Sequence, residues 1–148
     1  MPRRAKPAAA PLSRMRVIAL VALAVLPGCV TVAAPPCSGG TAAQLRAELI
    51  FGRHLKRGGV VTEAAWRRFV DREITPRFPD GFTVLDGRGQ WRKPGEARIV
   101  REPSTVLLVA MPDAPERRAR LDEVADAYKR RFAQDSVVTL LTPSCVSF

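Results

Sequence analysis

The stretch RIVREPSTVLLVAM, residues 98–111, decides the fold. Its second half contains the apolar run Val106-Leu107-Leu108-Val109, which is typical of a strand with both faces covered. We therefore expect residues 98–111 to form a strand at the centre of a sheet. Proline has no backbone N–H to donate, so Pro103 is expected at a bulge or in an exposed part of that strand.

Three further strands are predicted around the central one. Residues 43–52 alternate, with Leu45 and Leu49 on one face and polar residues on the other, which is the pattern of a half-buried strand. Residues 82–92 predict a strand that Asp86-Gly87-Arg88-Gly89 interrupts with a turn or bulge. Residues 137–141 predict a last, short strand.

Two helices are predicted between these strands. Thr62 can cap a helix that runs to about residue 74, and Trp66 lies on its apolar stripe and is expected in the core. Asp113 and Glu116 have the spacing of a capping box for a second helix, which reaches about residue 132. The order βαββαβ predicts an α+β fold, a ferredoxin-like sandwich with a four-stranded antiparallel sheet and two helices on one face.

The N-terminal residues have the features of an export signal. Residues 17–26 are apolar and follow the cations Arg14 and Arg16, and Leu26-Pro27-Gly28-Cys29 resembles the lipobox of bacterial lipoproteins. We expect a signal peptide over residues 1–28, lipid attached to Cys29, a flexible tether over 29–42 and a single domain over 43–148. A plain secretory peptide and a short uncut anchor are the alternatives.

The predicted lipoprotein signal implies that the domain lies in the cell envelope, held to a membrane by the lipid on Cys29 and facing the periplasm or the cell exterior.

The predicted signal peptide also accounts for part of the basic character of the chain. The formal net charge is +10. Five of the 24 basic residues and none of the 14 acidic residues lie in residues 1–28, so half of the net charge belongs to the predicted signal peptide. The remaining charge is typical of a solvated surface.

Seven short stretches of the domain carry a resemblance to a known family. They are IFGR (50–53), GVVTE (59–63), TPRFPDGFTV (75–84), DGRGQW (86–91), REPS (101–104), YKRRF (128–132) and CVSF (145–148). On these stretches the chain resembles a bacterial family called domain of unknown function 3574. The resemblance implies one exported domain and brings no activity or catalytic residue with it.

The cysteines that remain after lipidation of Cys29 are Cys37 and Cys145. In a ferredoxin-like sheet the first and last strands are antiparallel neighbours, so the start of one lies beside the end of the other. Because the envelope is oxidising, we expect a Cys37–Cys145 disulfide. Two free thiols are the alternative, with Cys37 too far out on its tether.

The amino-acid sequence argues against most common catalytic and metal-binding sites. One histidine, His54, and two cysteines cannot supply a structural zinc site, and no nucleophile motif accompanies His54, which we expect at the surface. No phosphate-binding glycine loop and no aromatic run for stacking RNA bases is present. The sequence thus predicts no metal, no cofactor and no nucleic-acid partner, and favours a binding protein over an enzyme.

The open face of the sheet is the remaining candidate for function. This face can be solvated, it can be covered by a second copy of the chain as in dimeric α+β barrels, or it can form a ligand groove. The predicted surface for a partner or small ligand consists of Arg46, Glu48, Arg53, Gln90, Trp91 and Arg101. The expected function is ligand or partner binding by a membrane-tethered envelope domain. The alternatives are a small enzyme built as a dimeric ferredoxin-like barrel and a purely structural envelope protein.

Overall fold

A computed structural model describes residues 36–147, so the predicted signal peptide, Cys29 and the first part of the tether lie outside the described residues. Four strands and two helices follow in the predicted order. They are β1 (Ala42–Gly52), α1 (Glu63–Phe69), β2 (Thr83–Arg92), β3 (Ile99–Met111), α2 (Pro115–Phe132) and β4 (Val138–Val146). Helix α1 continues without a break as a π-helical segment, Val70–Ile74.

The four strands form one antiparallel sheet in the order β2-β3-β1-β4. This is the order of the ferredoxin-like sandwich, so the predicted fold is confirmed. Strand β3 pairs with β2 on one side and with β1 on the other, which explains the unbroken apolar run in its sequence. Pro103 is exposed just past the last β1–β3 pair, Gly52 and Ser104, as expected.

One face of the sheet forms the core with the helices. Alternate residues of β1, from Leu45 to Phe51, are buried on this face, as predicted, and Trp66 is buried as well. Phe51 lies within an aromatic cluster, with ring centroids 5.3 Å from Trp66 and 4.7 Å from Tyr128. The Tyr128 hydroxyl donates a 2.9 Å hydrogen bond to the carbonyl of Gly52, which fixes the end of β1 to helix α2.

Three details of the predicted elements were wrong. Strand β2 runs through Gly87 and Gly89 in unbroken register, because the glycines leave room for β3 side chains and make no turn. Asp113 does not cap α2, since its carboxylate binds the Arg118 guanidinium at 2.6 and 2.8 Å. This ion pair also lowers the pKa of Asp113 through the hydrogen bond from Arg118. Strand β4 extends to Val146, beyond the predicted end at residue 141.

The longer β4 brings the cysteines together. Cys145 pairs with Ala43 of β1, and Cys37 precedes that strand. The structure joins Cys37 and Cys145 in a disulfide with Cα atoms 5.5 Å apart, the pairing expected from the topology. Among residues 36–147 there is no helix with the length and hydrophobicity required to span a membrane.

Candidate functional site

The open face of the sheet carries an aliphatic row that crosses all four strands. The register aligns Leu85 of β2, Val106 of β3, Ile50 of β1 and Val138 of β4 in one line. Leu85 and Val138 are about half exposed. We call these four residues the aliphatic row. Polar side chains lie on the open face on either side of this row.

One polar end holds an ion pair between neighbours on β1. Arg46 Nη2 lies 2.8 Å from Glu48 Oε1, and both side chains point to the open face, as predicted. The pair is accessible to solvent, with side-chain exposures of 50% and 26%. Such exposed ion pairs contribute little to stability.

The other polar end is organised around Glu102 of β3. Its Oε1 accepts a 2.7 Å hydrogen bond from Trp91 Nε1, and its Oε2 accepts a 3.1 Å hydrogen bond from the backbone N–H of His54. One donor comes from β2 and the other from the segment after β1, so the carboxylate is held from two sides. His54 is itself anchored, because its carbonyl accepts a 2.7 Å hydrogen bond from Gln134 Nε2.

Glycines make the space for this carboxylate. A Cβ at Gly52 would lie 2.8 Å from Glu102 Oε2, and a Cβ at Gly87 would lie 3.0 Å from Ser104 Oγ. Ser104 is only 7% exposed and lies opposite Gly87 in the register. Glycine at these two positions therefore leaves space for the carboxylate of Glu102 and for the hydroxyl of Ser104.

These groups line a groove of about 620 Å³ that we call the Glu102 groove. That volume is in the range of pockets that enclose small organic molecules. Ile50 and Val138 of the aliphatic row form its apolar end. The lining residues are Ile50, Gly52, Gly89, Gln90, Trp91, Lys93, Glu102, Ser104, Gln134, Asp135, Ser136 and Val138.

A second depression, of about 640 Å³, lies along the β2–β3 hairpin and includes Arg88, Gln90 and Arg101. These three side chains are exposed. Exposed arginine and glutamine side chains are typical of a solvated surface, so this depression is a weaker candidate than the Glu102 groove.

The phenol of Tyr128 lies beneath the groove at the Gly52 carbonyl. Burial raises the pKa of Tyr128 well above its ordinary value; the nearby Arg53 charge opposes this shift and the Glu102 charge adds to it. The phenol therefore stays neutral and donates its hydrogen bond at every ordinary pH.

Three of the six predicted surface residues do not point to the open face of the sheet, although Gln90 still belongs to the lining of the Glu102 groove. Arg53 is 9% exposed on the helix side, because it follows Phe51 with the period of two of the strand. Its Nη2 and Nε donate to the Val61 carbonyl at 2.6 and 3.0 Å. Gln90 and Arg101 form one cross-strand pair, and alternation turns both away from the open face.

The structure thus places Trp91 and Gln90 in the lining of the groove and leaves Arg46 and Glu48 at the far end of the same face. The predicted surface did not include Gly52, Glu102 and Ser104, which also line the groove. Counting back in steps of two from Val106 would have placed Ser104 and Glu102 on the open face. Within residues 36–147, no three His, Cys, Asp or Glu side chains gather as a metal site.

Comparisons with known proteins identify a family and a fold. Residues 46–148 match the family described as Protein of unknown function (DUF3574). No curated protein sequence matches the chain.

Among solved structures, a phage SAM lyase in complex with S-methyl-5′-thioadenosine is similar, with a TM-score of 0.55 and 15% identity over 74% of this chain and 85% of that chain. CutA1 from Oryza sativa has a TM-score of 0.48 at 10% identity, covering 74% of this chain and 87% of that chain. CPII, a nitrogen regulatory PII-like protein from Thiomonas intermedia K12, has a TM-score of 0.40 at 14% identity, covering 73% of this chain and 97% of that chain. Such likenesses concern the fold alone.

Proposed function

Because this chain belongs to the DUF3574 family, for which no function is described, we propose its role from its own residues. It is a lipid-anchored protein of the cell envelope that binds a small ligand in the Glu102 groove. The proposal has two parts, an anchor at Cys29 and a binding site on the open face of the sheet, and each has its own support.

The anchor is supported by the order of residues before the domain. The cations Arg14 and Arg16, the apolar residues 17–26 and the small residue Gly28 lead to Cys29 in the arrangement of a lipoprotein signal. Several acyl chains on one cysteine anchor a protein stably, since each buried methylene contributes about 0.8 kcal/mol. The disulfide supports export as well, because such bonds persist in oxidising compartments.

The binding site is supported chiefly by Glu102. Its carboxylate is held from two sides, by Trp91 and by the backbone of His54, and forms no ion pair with a Lys or Arg among residues 36–147. Ser104 is 7% exposed and lies in the same lining, where its hydroxyl can bond a ligand. A ligand group that bonds the carboxylate and this hydroxyl would complete the site.

Native mass spectrometry tests the binding site. The protein is extracted in mild detergent from the envelope of cells that make this chain, as wild type, Ser104→Val and Arg101→Ala. Arg101 neighbours Glu102 but points to the opposite face, so its variant is the matched control. We expect a bound small mass on the wild type and on Arg101→Ala, and none on Ser104→Val.

Thermal unfolding of each variant shows whether the fold is kept. A folded Ser104→Val protein that carries the same mass as the wild type would contradict the proposed site. The panel of added ligands includes S-methyl-5′-thioadenosine, which the similar phage lyase holds. Binding of that compound would redirect the search toward nucleoside ligands.

The anchor is tested by the mass of the N-terminal peptide. We expect an acylated Cys29 at the mature N-terminus and release of the protein from membranes in Cys29→Ser. Unmodified Cys29 in membrane-bound protein would contradict this half of the proposal and leave the binding site standing.

The aliphatic row favours a second candidate, a homodimer through the open face. A second copy seated on the row would bury side chains that are now half exposed and would close the Glu102 groove into a shared cavity. The alternative of a small dimeric enzyme depends on this closure, since a shared cavity excludes water from the reacting groups.

Light scattering on Leu140→Arg and Leu141→Arg tests the dimer. The two leucines are neighbours on β4 with exposures of 47% and 40%, and they point to opposite faces. Leu140 lies beside the aliphatic row, so its substitution should give monomers while Leu141→Arg stays dimeric. A wild-type protein that is monomeric at high concentration would eliminate this candidate.

A further inference from the structure

The charges of the Glu102 groove define the class of ligand. We infer that the groove takes a small organic cation, a primary ammonium group carried on an apolar chain. This inference rests on the proposed function and goes beyond it by naming the chemistry that the site recognises. Three features carry it: an oriented carboxylate without a cation, an exposed indole and a hydroxyl in the same lining.

The carboxylate of Glu102 is held in position by two hydrogen bonds but, among residues 36–147, is not paired with a cation of the protein. Each of its oxygens accepts one N–H, from Trp91 or from His54, and an ionised carboxylate has about four acceptor sites in all. Two sites therefore remain for a ligand. Among residues 36–147 no Lys or Arg forms an ion pair with Glu102, whereas Glu48 and Asp135 are paired with Arg46 and Lys56.

The indole of Trp91 provides a second contact for a cation. It lines the same groove and is 47% exposed even though its Nε1 is bonded to Glu102. Tryptophan is the aromatic side chain that attracts cations most strongly. Lys93, the basic residue in the lining, is already offset by Glu96 at 3.4 Å and so does not cancel the attraction.

The hydroxyl of Ser104 supplies a further acceptor in the lining of the groove. An ammonium group has three N–H donors, and the free sites of Glu102 together with Ser104 Oγ match that number. The open backbone at Gly52 and Gly89 admits the group beside the carboxylate. Beyond it, Ile50 and Val138 offer aliphatic surface for the rest of the ligand.

Isothermal titration calorimetry with three matched probes tests the inference. Hexylamine, hexanol and hexanoate share one chain and differ in charge, and hexylamine is protonated at neutral pH. The protein is the envelope-extracted chain as wild type, Glu102→Gln and Arg101→Gln. Arg101→Gln is the control, because it changes a charge next to Glu102 on the opposite face.

We expect the wild type and Arg101→Gln to bind hexylamine at least about tenfold more tightly than hexanol, because a hydrogen bond to a charged partner is roughly twice as strong as a neutral one. Hexanoate should bind least. In Glu102→Gln the preference for hexylamine over hexanol should vanish. A preference that persists in Glu102→Gln, or a wild type that binds none of the probes, would overturn the inference.

One result separates this inference from the proposed function. If hexanol and hexylamine bind the wild type equally and both lose affinity in Ser104→Val, the groove binds ligands but does not select cations. The ligand class would then be wrong and the proposed site correct.

Discussion

Trp91 and Glu102 are diagonal neighbours on the open face of the sheet, joined by a 2.7 Å hydrogen bond from indole Nε1 to Oε1. The register pairs Trp91 with Val100, two residues before Glu102, and diagonal positions of this kind are within reach of long side chains. The bond fixes both groups, so the indole and the carboxylate present one preformed surface. Preformed sites lose less entropy when a ligand binds.

The position of the Glu102 carboxylate depends on Gly52. A Cβ there would lie 2.8 Å from Oε2, so Gly52→Ala should push the carboxylate out of place and weaken ligand binding by about tenfold, the loss of one charged hydrogen bond. Arg101→Ala is the control, because Arg101 lies next to Glu102 but points to the opposite face. Titration with hexylamine measures both. Equal affinity in the two variants would show that the carboxylate position does not matter.

Substitution of Arg53 should lower the stability of the fold and leave ligand binding in the Glu102 groove unchanged. Its guanidinium is buried and donates twice to the Val61 carbonyl, so Arg53→Met should lower the free energy of unfolding by about 2–3 kcal/mol. Arg46→Met removes an exposed ion pair and should cost less than about 1 kcal/mol. Urea unfolding followed by circular dichroism measures the difference. A larger loss in Arg46→Met would mean that the assignment of these two roles is reversed.

The Cys37–Cys145 disulfide should be a large contributor to stability. It closes a loop with a sequence separation of 108, and a loop of that size corresponds to about 4–5 kcal/mol in the chain-entropy account. We expect that loss in Cys37→Ser with Cys145→Ser, and the same loss on adding reductant to the wild type. Reductant should not affect the double variant. Alkylation that labels both cysteines in native, unreduced protein would contradict the pairing.

Tyr128, the only tyrosine of the chain, should report on alkaline unfolding. Its pKa is raised in the folded state by burial, whereas a phenol in the unfolded chain ionises near pH 10. Its contribution to stability is therefore fully present below about pH 10 and is lost as the pH rises further. Tyrosinate absorbance should appear together with unfolding and never before it.

Tyr128→Phe is the control for this pH dependence. It removes the hydrogen bond to the Gly52 carbonyl and should cost about 1 kcal/mol at neutral pH. Above pH 10 the difference from the wild type should shrink, because the variant has no phenol to ionise. A constant difference up to the unfolding pH would show that the phenol titrates alike in both states.

The fold was predictable because its signals are local and periodic. The apolar run of β3, the alternation of β1 and the Thr62 cap each follow from neighbours in the sequence, and Thr62 Oγ1 does accept the N–H of Ala65 at 3.2 Å. The prediction that β2 is interrupted was wrong, because glycine occurs in turns and also in strands where a neighbouring side chain needs space. Gly87 and Gly89 read as turn residues, but in the sheet they clear space for Ser104 and Glu102.

The site was predictable only in part. Trp91 stood out as an exposed aromatic, but Arg53, Gln90 and Arg101 were grouped with it because they are polar. The face of each residue follows from the alternation along its own strand, and counting from Phe51 and from Val106 would have placed Arg53 and Arg101 on the helix side. The hydrogen bond from the His54 backbone to Glu102 joins residues 48 positions apart, and no local pattern indicates such a contact.

The indole signals of an ¹⁵N NMR spectrum test the central claim most directly. Trp66 and Trp91 are the two tryptophans, one buried in the core and the other hydrogen-bonded to Glu102 in the groove. On titration with hexylamine, the Trp91 Nε1–H signal should shift saturably while the Trp66 signal stays in place. Saturable binding that leaves the Trp91 signal unmoved, or that moves both signals alike, would contradict ligand binding in the Glu102 groove.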